Sequence, residues 1–228
     1  PVPIAPPGRF GSARTSLGQY ARSGSQRDMR KGLGHYIRKG LGGSKTATRR
    51  LGGTARTAGA LYGILSSAAS GQAPEQGSPF DPALLRGRSV DEVTSALIEA
   101  VRPVDGTQDA EASRDAIKSA LSQLWERSPD VDLFRLSEDD RLFIIERFIA
   151  AEIFIRVELD VGKAIQDKAP SYTAALVRLR EIKNYIKQAV SAVFRKLRIT
   201  GRQPTAKQIG GVIRQAIQET FEVFEGYA

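Results

Sequence analysis

One apolar run in the second half of the chain constrains the fold more than any other feature. Between Leu142 and Ile165, apolar residues fall on most sides of a helix instead of forming a single stripe. Such a helix is stable only when other helices surround it, because its apolar sides would otherwise face water. The acidic residues 138–140 precede the run and suit the positive end of a helix dipole. The sequence therefore predicts a central helix, about 48 Å long if it continues to Lys168.

Helical spacing also recurs in the rest of the chain. Apolar residues repeat at three- and four-residue steps over residues 44–70, 89–101, 109–127, 171–197 and 205–226. No alternating run of β-branched residues between turn residues indicates a strand. We therefore expect an all-α protein, an irregular multi-helix bundle with a glycine-rich basic N-terminal helical region and an extended Pro-rich tail.

Composition divides the chain into four predicted parts. Residues 1–10 form the Pro-rich tail, because four of the first eight residues are proline, which fixes φ and lacks an amide donor. Residues 11–70 form the basic Gly-rich helical region, and residues 71–88 form a linker. Residues 89–228 form the helical bundle domain.

Positive charge is concentrated at the start of the chain. The first 62 residues contain twelve Lys and Arg residues but a single acid, Asp28. The whole chain has a net charge of +9, so the remainder is close to neutral. Such an asymmetry concerns binding partners and not the fold.

A short phrase repeats inside this basic region. The pattern Leu-Gly-x-Tyr-x-Arg-x-Gly occupies residues 17–24 and again residues 33–40, and a shorter Leu-Gly version followed by Arg occupies residues 51–56. The apolar spacing within the first two copies predicts short helices. Because glycine disfavours a helix interior by about 1 kcal/mol relative to alanine, these helices are weak on their own.

Two interpretations of the glycines remain open. Gly24, Gly40 and the pair Gly42-Gly43 are either helix ends in the left-handed conformation or points where another backbone approaches closely.

The composition offers little to catalysis. Cysteine is absent, which excludes disulfides, thiolate metal sites and a cysteine nucleophile, and the single His35 cannot form a multi-histidine metal site. Residues 42–46 contain the residue types of a phosphate-binding loop in the wrong order and without a preceding strand. We expect no catalytic residue, no cofactor and no metal, and we expect that the protein is not an enzyme. A hydrolytic enzyme with an unfamiliar site is kept as a third hypothesis.

The location follows from the same composition. No run of about 18 apolar residues predicts a membrane-spanning helix, and no signal peptide opens the chain. Together with the absence of cysteine, this favours a cytoplasmic protein without a membrane role.

Three phrases carry a resemblance to a known family. They lie in residues 5–18, which begin APPGRF, in residues 32–44, which contain GLGHY and LGGS, and in residues 52–63, GGTARTAGALYG. They resemble the QatB family, the B component of the Qat anti-phage defence systems, over about the first 65 residues.

The resemblance implies a role and a set of partners. Proteins of that family work beside an ATPase, a QueC-like enzyme and a TatD-like nuclease. The resemblance implies that this chain is a non-enzymatic subunit that binds the QueC-like protein. The family begins with Met-Gly, and its exposed glycine is implied to enter the QueC-like active site. This sequence begins at Pro1, so none of its residues corresponds to that glycine.

The first hypothesis is therefore a helical partner-binding subunit in phage defence. Its Pro-rich tail loses less conformational entropy on binding than a flexible tail would, which favours docking. The predicted partner-binding residues are Pro1, Pro3, Pro6, Pro7, Arg9, Phe10, Arg14, Tyr20, Arg22, Tyr36 and Arg38.

The alternative is a nucleic-acid-binding helical module. Cations attract phosphates, and Tyr20, Tyr36 and Tyr62 would offer rings for base stacking. The predicted nucleic-acid contacts are Lys45, Arg49, Arg50 and Arg56.

Overall fold

The computed structural model describes residues 8–72, 76–199 and 208–228, with the side chains of 197–199 left aside. Over these ranges the secondary structure consists of ten α-helices and one π-helical turn, without a strand. The all-α prediction is confirmed. The predicted Pro-rich tail, apart from its last three residues, lies outside the described residues. Across the described ranges, every helix is too short or too polar to cross a membrane.

The helices occupy most of the positions that periodicity predicts. Their bounds are α1 Gly11–Ser23, α2 Gln26–His35, the π-helical turn Tyr36–Gly40, α3 Ser44–Arg50, α4 Gly52–Ala69, α5 Pro82–Leu85, α6 Val90–Val101, α7 Gln108–Arg127, α8 Glu138–Gln166, α9 Tyr172–Ile199 and α10 Ile209–Glu225.

Two helices differ from their predicted extents. The segment 44–70 is two helices, because the chain turns at the buried Leu51. Helix α8 has 29 residues and is about 44 Å long, so it ends before Lys168. Gly162 lies inside α8 without ending it.

Side-chain caps set the starts of several helices. The Asp81 carboxylate accepts a hydrogen bond from the Ala83 amide at the start of α5. Ser89 and Glu92 form a reciprocal capping box at the start of α6. In both caps a side-chain oxygen accepts a hydrogen bond from an amide that has no partner within the first helical turn.

Two compact units assemble from segments that are distant in sequence. Unit 1 takes its described residues from Pro1–Gly53, Ile153–Gly201 and Arg214–Ala228. Unit 2 takes its described residues from Thr54–Glu152 and Arg202–Ile213. A division by composition cannot represent this arrangement, since it cuts the chain only into consecutive stretches.

Unit 1 surrounds the glycine-rich helices with apolar side chains. Helix α1 packs on α2, both contact the π-helical turn, and α1 contacts α9. Leu17 and Leu33, the leucines of the repeated phrase, are both fully buried. Tertiary burial therefore stabilises helices whose own propensity is low. The other large side chains buried in this unit include Met29, Ile37, Ile182, Phe194 and Phe224.

The helix-end interpretation holds at Gly24, whereas Gly40 lies against a side chain and not against another backbone. Gly24 ends α1 in the left-handed conformation, with φ +72° and ψ +10°, and Gly42, after the π-helical turn, has φ +84°. Gly43 also has a positive φ, +87°, but its ψ is 163° and it precedes α3. Gly40 instead permits a close approach, because a Cβ there would lie 2.5 Å from Cδ1 of Phe10.

Two further glycines bring helices of unit 1 together. A Cβ on Gly32 would lie 2.6 Å from Leu17 Cδ2, so any other residue there would have to displace the buried Leu17 side chain. A Cβ on Gly34 would lie 2.9 Å from the Phe224 carbonyl oxygen and 2.8 Å from the Ala228 amide nitrogen. Gly32 thus serves packing against α1, and Gly34, a glycine of the repeated phrase, serves packing against the end of α10.

Unit 2 has its own apolar core and buries two acids, Glu146 and Glu152. Helix α6 packs on α7. The Glu152 side chain is 1% exposed and accepts hydrogen bonds from the hydroxyls of Thr54, at 3.1 Å, and Ser113. The large side chains buried in this unit include Leu61, Leu65, Leu97, Ile117, Leu121, Leu124, Ile144 and Phe148.

Candidate partner-binding surface

The aromatic residues among the predicted partner contacts lie inside unit 1. Phe10, Tyr20 and Tyr36 are 7%, 0% and 2% exposed. Phe10 stacks on Tyr36 with ring centroids 5.3 Å apart, and the Tyr36 hydroxyl donates a 2.8 Å hydrogen bond to Asp160. These rings therefore hold the unit together and present no face to a partner.

Burial also changes the chemistry of these tyrosines. Burial, then the adjacent Asp160 carboxylate, raises the pKa of Tyr36 well above its ordinary value of 10. The Tyr20 hydroxyl donates to the Glu181 carboxylate, and burial followed by that bond raises the pKa of Tyr20. Both phenols thus remain protonated hydrogen-bond donors.

The arginines of the same prediction lie at the surface. Arg14, Arg22 and Arg38 are exposed, and Arg9 is half-buried with its guanidinium 4.5 Å from the centroid of the Phe10 ring. Arg38 donates a 3.0 Å hydrogen bond to the Ala228 carbonyl oxygen. The four prolines, Pro1, Pro3, Pro6 and Pro7, lie outside the described residues.

Two of these arginines line a groove on unit 1. Its walls are α1 and the end of α8 with the turn that follows, and the lining residues are Arg14, Thr15, Gly18, Gln19, Arg22, Ala164 and Lys168. We call it the α1–α8 groove. Among the described residues that line it, three are cationic and none is acidic. It therefore attracts anionic groups without internal competition.

Lys168 is the residue of this groove that sequence reasoning missed. It follows α8 and is 146 or more positions from every α1 residue in the groove. A cation after a helix end is common, so no signal in the sequence could assign it to α1.

The predicted nucleic-acid contacts fall into different surroundings. Lys45 and Arg49 are exposed on α3, and the half-buried Arg50 donates a 3.3 Å hydrogen bond to the Leu41 carbonyl oxygen. Arg56 is exposed on α4, in unit 2. Tyr62, like Tyr20 and Tyr36, is buried, so none of the three tyrosines offers a ring for stacking.

The groove beside Lys45 and Arg49 has mixed charge. Helix α10 lines its other side with Arg214, Gln215, Gln218, Glu219 and Glu222. The two carboxylates there offset the attraction of the cations for phosphate. The α1–α8 groove is the more strongly cationic of the two.

The remaining candidates for chemistry have structural partners. The Ser44 amide at the start of α3, within the loop-like residues 42–46, donates to the Glu225 carboxylate at 3.0 Å. Glu138 accepts a 2.6 Å hydrogen bond from the Tyr62 hydroxyl, and Asp139 pairs with Arg127 at 2.7 Å. Throughout the described ranges, His, Asp and Glu form no group of three or more that could hold a metal ion.

Comparison with known proteins identifies a related family. The model of that family, described as the Qat anti-phage system associated protein QatB, matches residues 42–224, well over half of the chain. The match begins after α2 and includes Lys168, whereas α1 precedes it. No curated protein and no solved structure matches the chain.

Proposed function

Because the chain belongs to the QatB family, and is therefore a component of an anti-phage defence system, we propose that it is a non-enzymatic subunit that binds the system's QueC-like enzyme through its N-terminal region. The resemblance of the N-terminal phrases supports this choice of partner. The ATPase and the TatD-like nuclease of the system are further proposed partners.

The observation that carries the proposal is the exposed cationic face of α1. Arg14 and Arg22 lie on a helix whose opposite face is fully buried through Leu17 and Tyr20. A helix fixed in this way holds the backbone positions of both arginines constant. The backbone of α1 then loses little entropy when a partner binds.

The composition supports a role without catalysis. The chain lacks cysteine and has one histidine, His35. Burial is the main cause that lowers the pKa of His35, and nearby cations, above all Lys39, lower it further. The acidic residues near the start of α8 are held in hydrogen bonds and ion pairs. A binding function needs only the surface of the protein.

The test is co-purification of the QueC-like component with charge-reversal variants. We expect the double variant Arg14→Glu/Arg22→Glu to lose most of the bound component, because reversal replaces attraction with repulsion. The matched control is Arg195→Glu/Lys196→Glu, which reverses two exposed cations on α9. Equal recovery of the component with both double variants would contradict docking through the N-terminal region.

Nucleic-acid binding is the second candidate function. The exposed Lys45 and Arg49 favour it, and the burial of the tyrosines restricts it to sequence-independent attraction of phosphates. This function predicts that the protein binds DNA or RNA at low salt and releases it as the salt concentration rises. It also predicts that Lys45→Glu/Arg49→Glu abolishes retention. Absence of any retention at low salt would exclude this function.

A further inference from the structure

We propose that the α1–α8 groove binds an extended acidic segment of a partner protein, with carboxylates at alternate positions of that segment. This inference rests on the proposed function and specifies the chemistry of the bound partner. It is carried by the arrangement of Arg14, Lys168 and Arg22.

The three cations form a row along α1. Arg14, Gly18 and Arg22 are successive i, i+4 positions, so they share one face of the helix and are spaced by about 6 Å along its axis. Lys168 joins this row at its middle, because its side chain lies against Gly18. The row therefore places the attachment points of three cationic side chains along about 12 Å of the helix.

Contacts within unit 1 hold the Arg14 guanidinium and accommodate the stem of Lys168. Arg14 Nη2 donates a 2.9 Å hydrogen bond to the Asp160 carbonyl oxygen. A Cβ on Gly18 would lie 3.3 Å from Lys168 Cγ, so the absence of a side chain at Gly18 gives the lysine stem its place. Cations held in this way lose less conformational freedom on binding than free ones.

The spacing of the row fits an extended peptide. In an extended chain, every second side chain points to the same side, at intervals of about 6.6 Å. Acidic residues at alternate positions would thus meet Arg14, Lys168 and Arg22 in turn. Thr15 and Gln19 also line the groove and supply hydrogen-bonding groups for the peptide backbone.

Other anionic ligands fit the groove less well. A single phosphate is much shorter than the row and would meet only part of it. Single-stranded nucleic acid binds through stacked aromatic side chains as well as cations, and none of the described lining residues is aromatic. The single tyrosine of α1, Tyr20, is 0% exposed. An acidic peptide needs only the charges and polar groups that are present.

The experiment measures fluorescence anisotropy of two labelled peptides with the full chain. One peptide alternates glutamate and serine, and the other has the same number of glutamates at every third position, which turns successive carboxylates to opposite sides. We expect the alternating peptide to bind several-fold more tightly. Arg22→Glu and Lys168→Glu should each weaken its binding about tenfold.

The matched controls reverse exposed cations outside the groove. Arg27→Glu and Lys31→Glu on α2 should each leave the affinity within about twofold of the unmodified chain. Circular dichroism of all variants verifies folding, which should persist because every replaced side chain is exposed. Equal binding of the two peptides, or equal weakening by the groove and control variants, would overturn the inference.

Two further outcomes separate this inference from the proposed function and from nucleic-acid binding. If neither peptide binds but Arg14→Glu/Arg22→Glu still loses the QueC-like component, the peptide inference fails alone. If the alternating peptide binds as expected and that component is retained by the double variant, the proposed function fails alone. If an oligothymidylate of equal charge bound more tightly than the alternating peptide, with the same dependence on Arg22 and Lys168, the groove would be a nucleic-acid site and the peptide inference would be wrong.

Discussion

Gly34 lies where α2 meets the end of α10 within unit 1, and the atoms it faces belong to the backbone. A Cβ at this position would lie 2.8 Å from the Ala228 amide nitrogen and 2.9 Å from the Phe224 carbonyl oxygen. Backbone atoms cannot move aside as the end of a flexible side chain can. The two segments must therefore separate if Gly34 gains a side chain.

We expect Gly34→Ala to lower the free energy of unfolding by about 1–3 kcal/mol, because overpacking outweighs the gain in helix propensity. Urea denaturation followed by circular dichroism measures the change. The matched control is Gly59→Ala in α4, where a Cβ would meet nothing within 4 Å. That variant should gain about 0.5–1 kcal/mol, and a similar gain for Gly34→Ala would contradict the packing argument.

The sequence predicted that glycines such as Gly24 and Gly40 would have one of two uses, but not which use each one has. The left-handed conformation of Gly24 is a local property that helix-end patterns reveal. The close approach at Gly40 depends on Phe10, which lies 30 positions earlier. Packing between distant segments leaves no local trace in a single sequence.

Among the elements, α8 connects to α4 and α7 in unit 2 through the buried Glu152. Its carboxylate accepts hydrogen bonds from Thr54 on α4 and Ser113 on α7. A buried carboxylate is costly unless such bonds satisfy it. These hydroxyls therefore fix the positions of both helices against α8.

We expect Ser113→Ala to lower the free energy of unfolding by about 1–3 kcal/mol, since one oxygen of the buried carboxylate loses a donor. Chemical denaturation measures the loss. Ser122→Ala on the exposed side of α7 is the matched control and should be neutral or slightly stabilising. Equal effects of the two substitutions would show that the buried hydrogen bond contributes nothing.

The elements themselves were largely predictable, because their signals are local. The apolar run of α8 and the apolar spacing over residues 89–101 placed two helices correctly, whereas α5 lies within the predicted linker 71–88. The turn at Leu51 was missed, since its neighbours keep helical apolar spacing on both sides. Lys168 was missed for the related reason that its partners lie on another helix.

At the scale of the whole molecule, buried tyrosines in both units make stability depend on alkaline pH. Burial raises the pKa of Tyr20, Tyr36 and Tyr185, with carboxylates reinforcing the first two and Tyr227 the third. Burial, followed by the bond to Glu138, raises the pKa of Tyr62 to about 12. The folded chain thus keeps protons that the unfolded chain loses above a pH of about 10.

Stability should therefore be fully present below pH 10 and should decline as pH rises from 10 toward 12. Urea denaturation at a series of pH values measures this decline. In Tyr62→Phe the decline should be shallower, because one of the contributing phenols is absent. An unchanged slope in this variant would contradict the assignment for Tyr62.

The N-terminal helices have two roles in the whole molecule, since they carry the proposed docking surface and also complete the core of unit 1. Deleting residues 1–43 would remove Tyr20 and Tyr36 and uncover apolar residues of α9 and α10 such as Ile182 and Phe224. We expect the shortened chain to aggregate, which size-exclusion chromatography would show. We also expect it to unfold at a lower temperature and with less cooperativity, which thermal circular dichroism would show. If the 1–43 deletion unfolded like the full chain, the segment would be dispensable for folding. In that case, loss of a partner by the 1–43 deletion would measure docking alone. Because the segment contains the buried Tyr20 and Tyr36, however, we expect the deletion to damage folding, and charge reversal at the surface is the sharper test of docking.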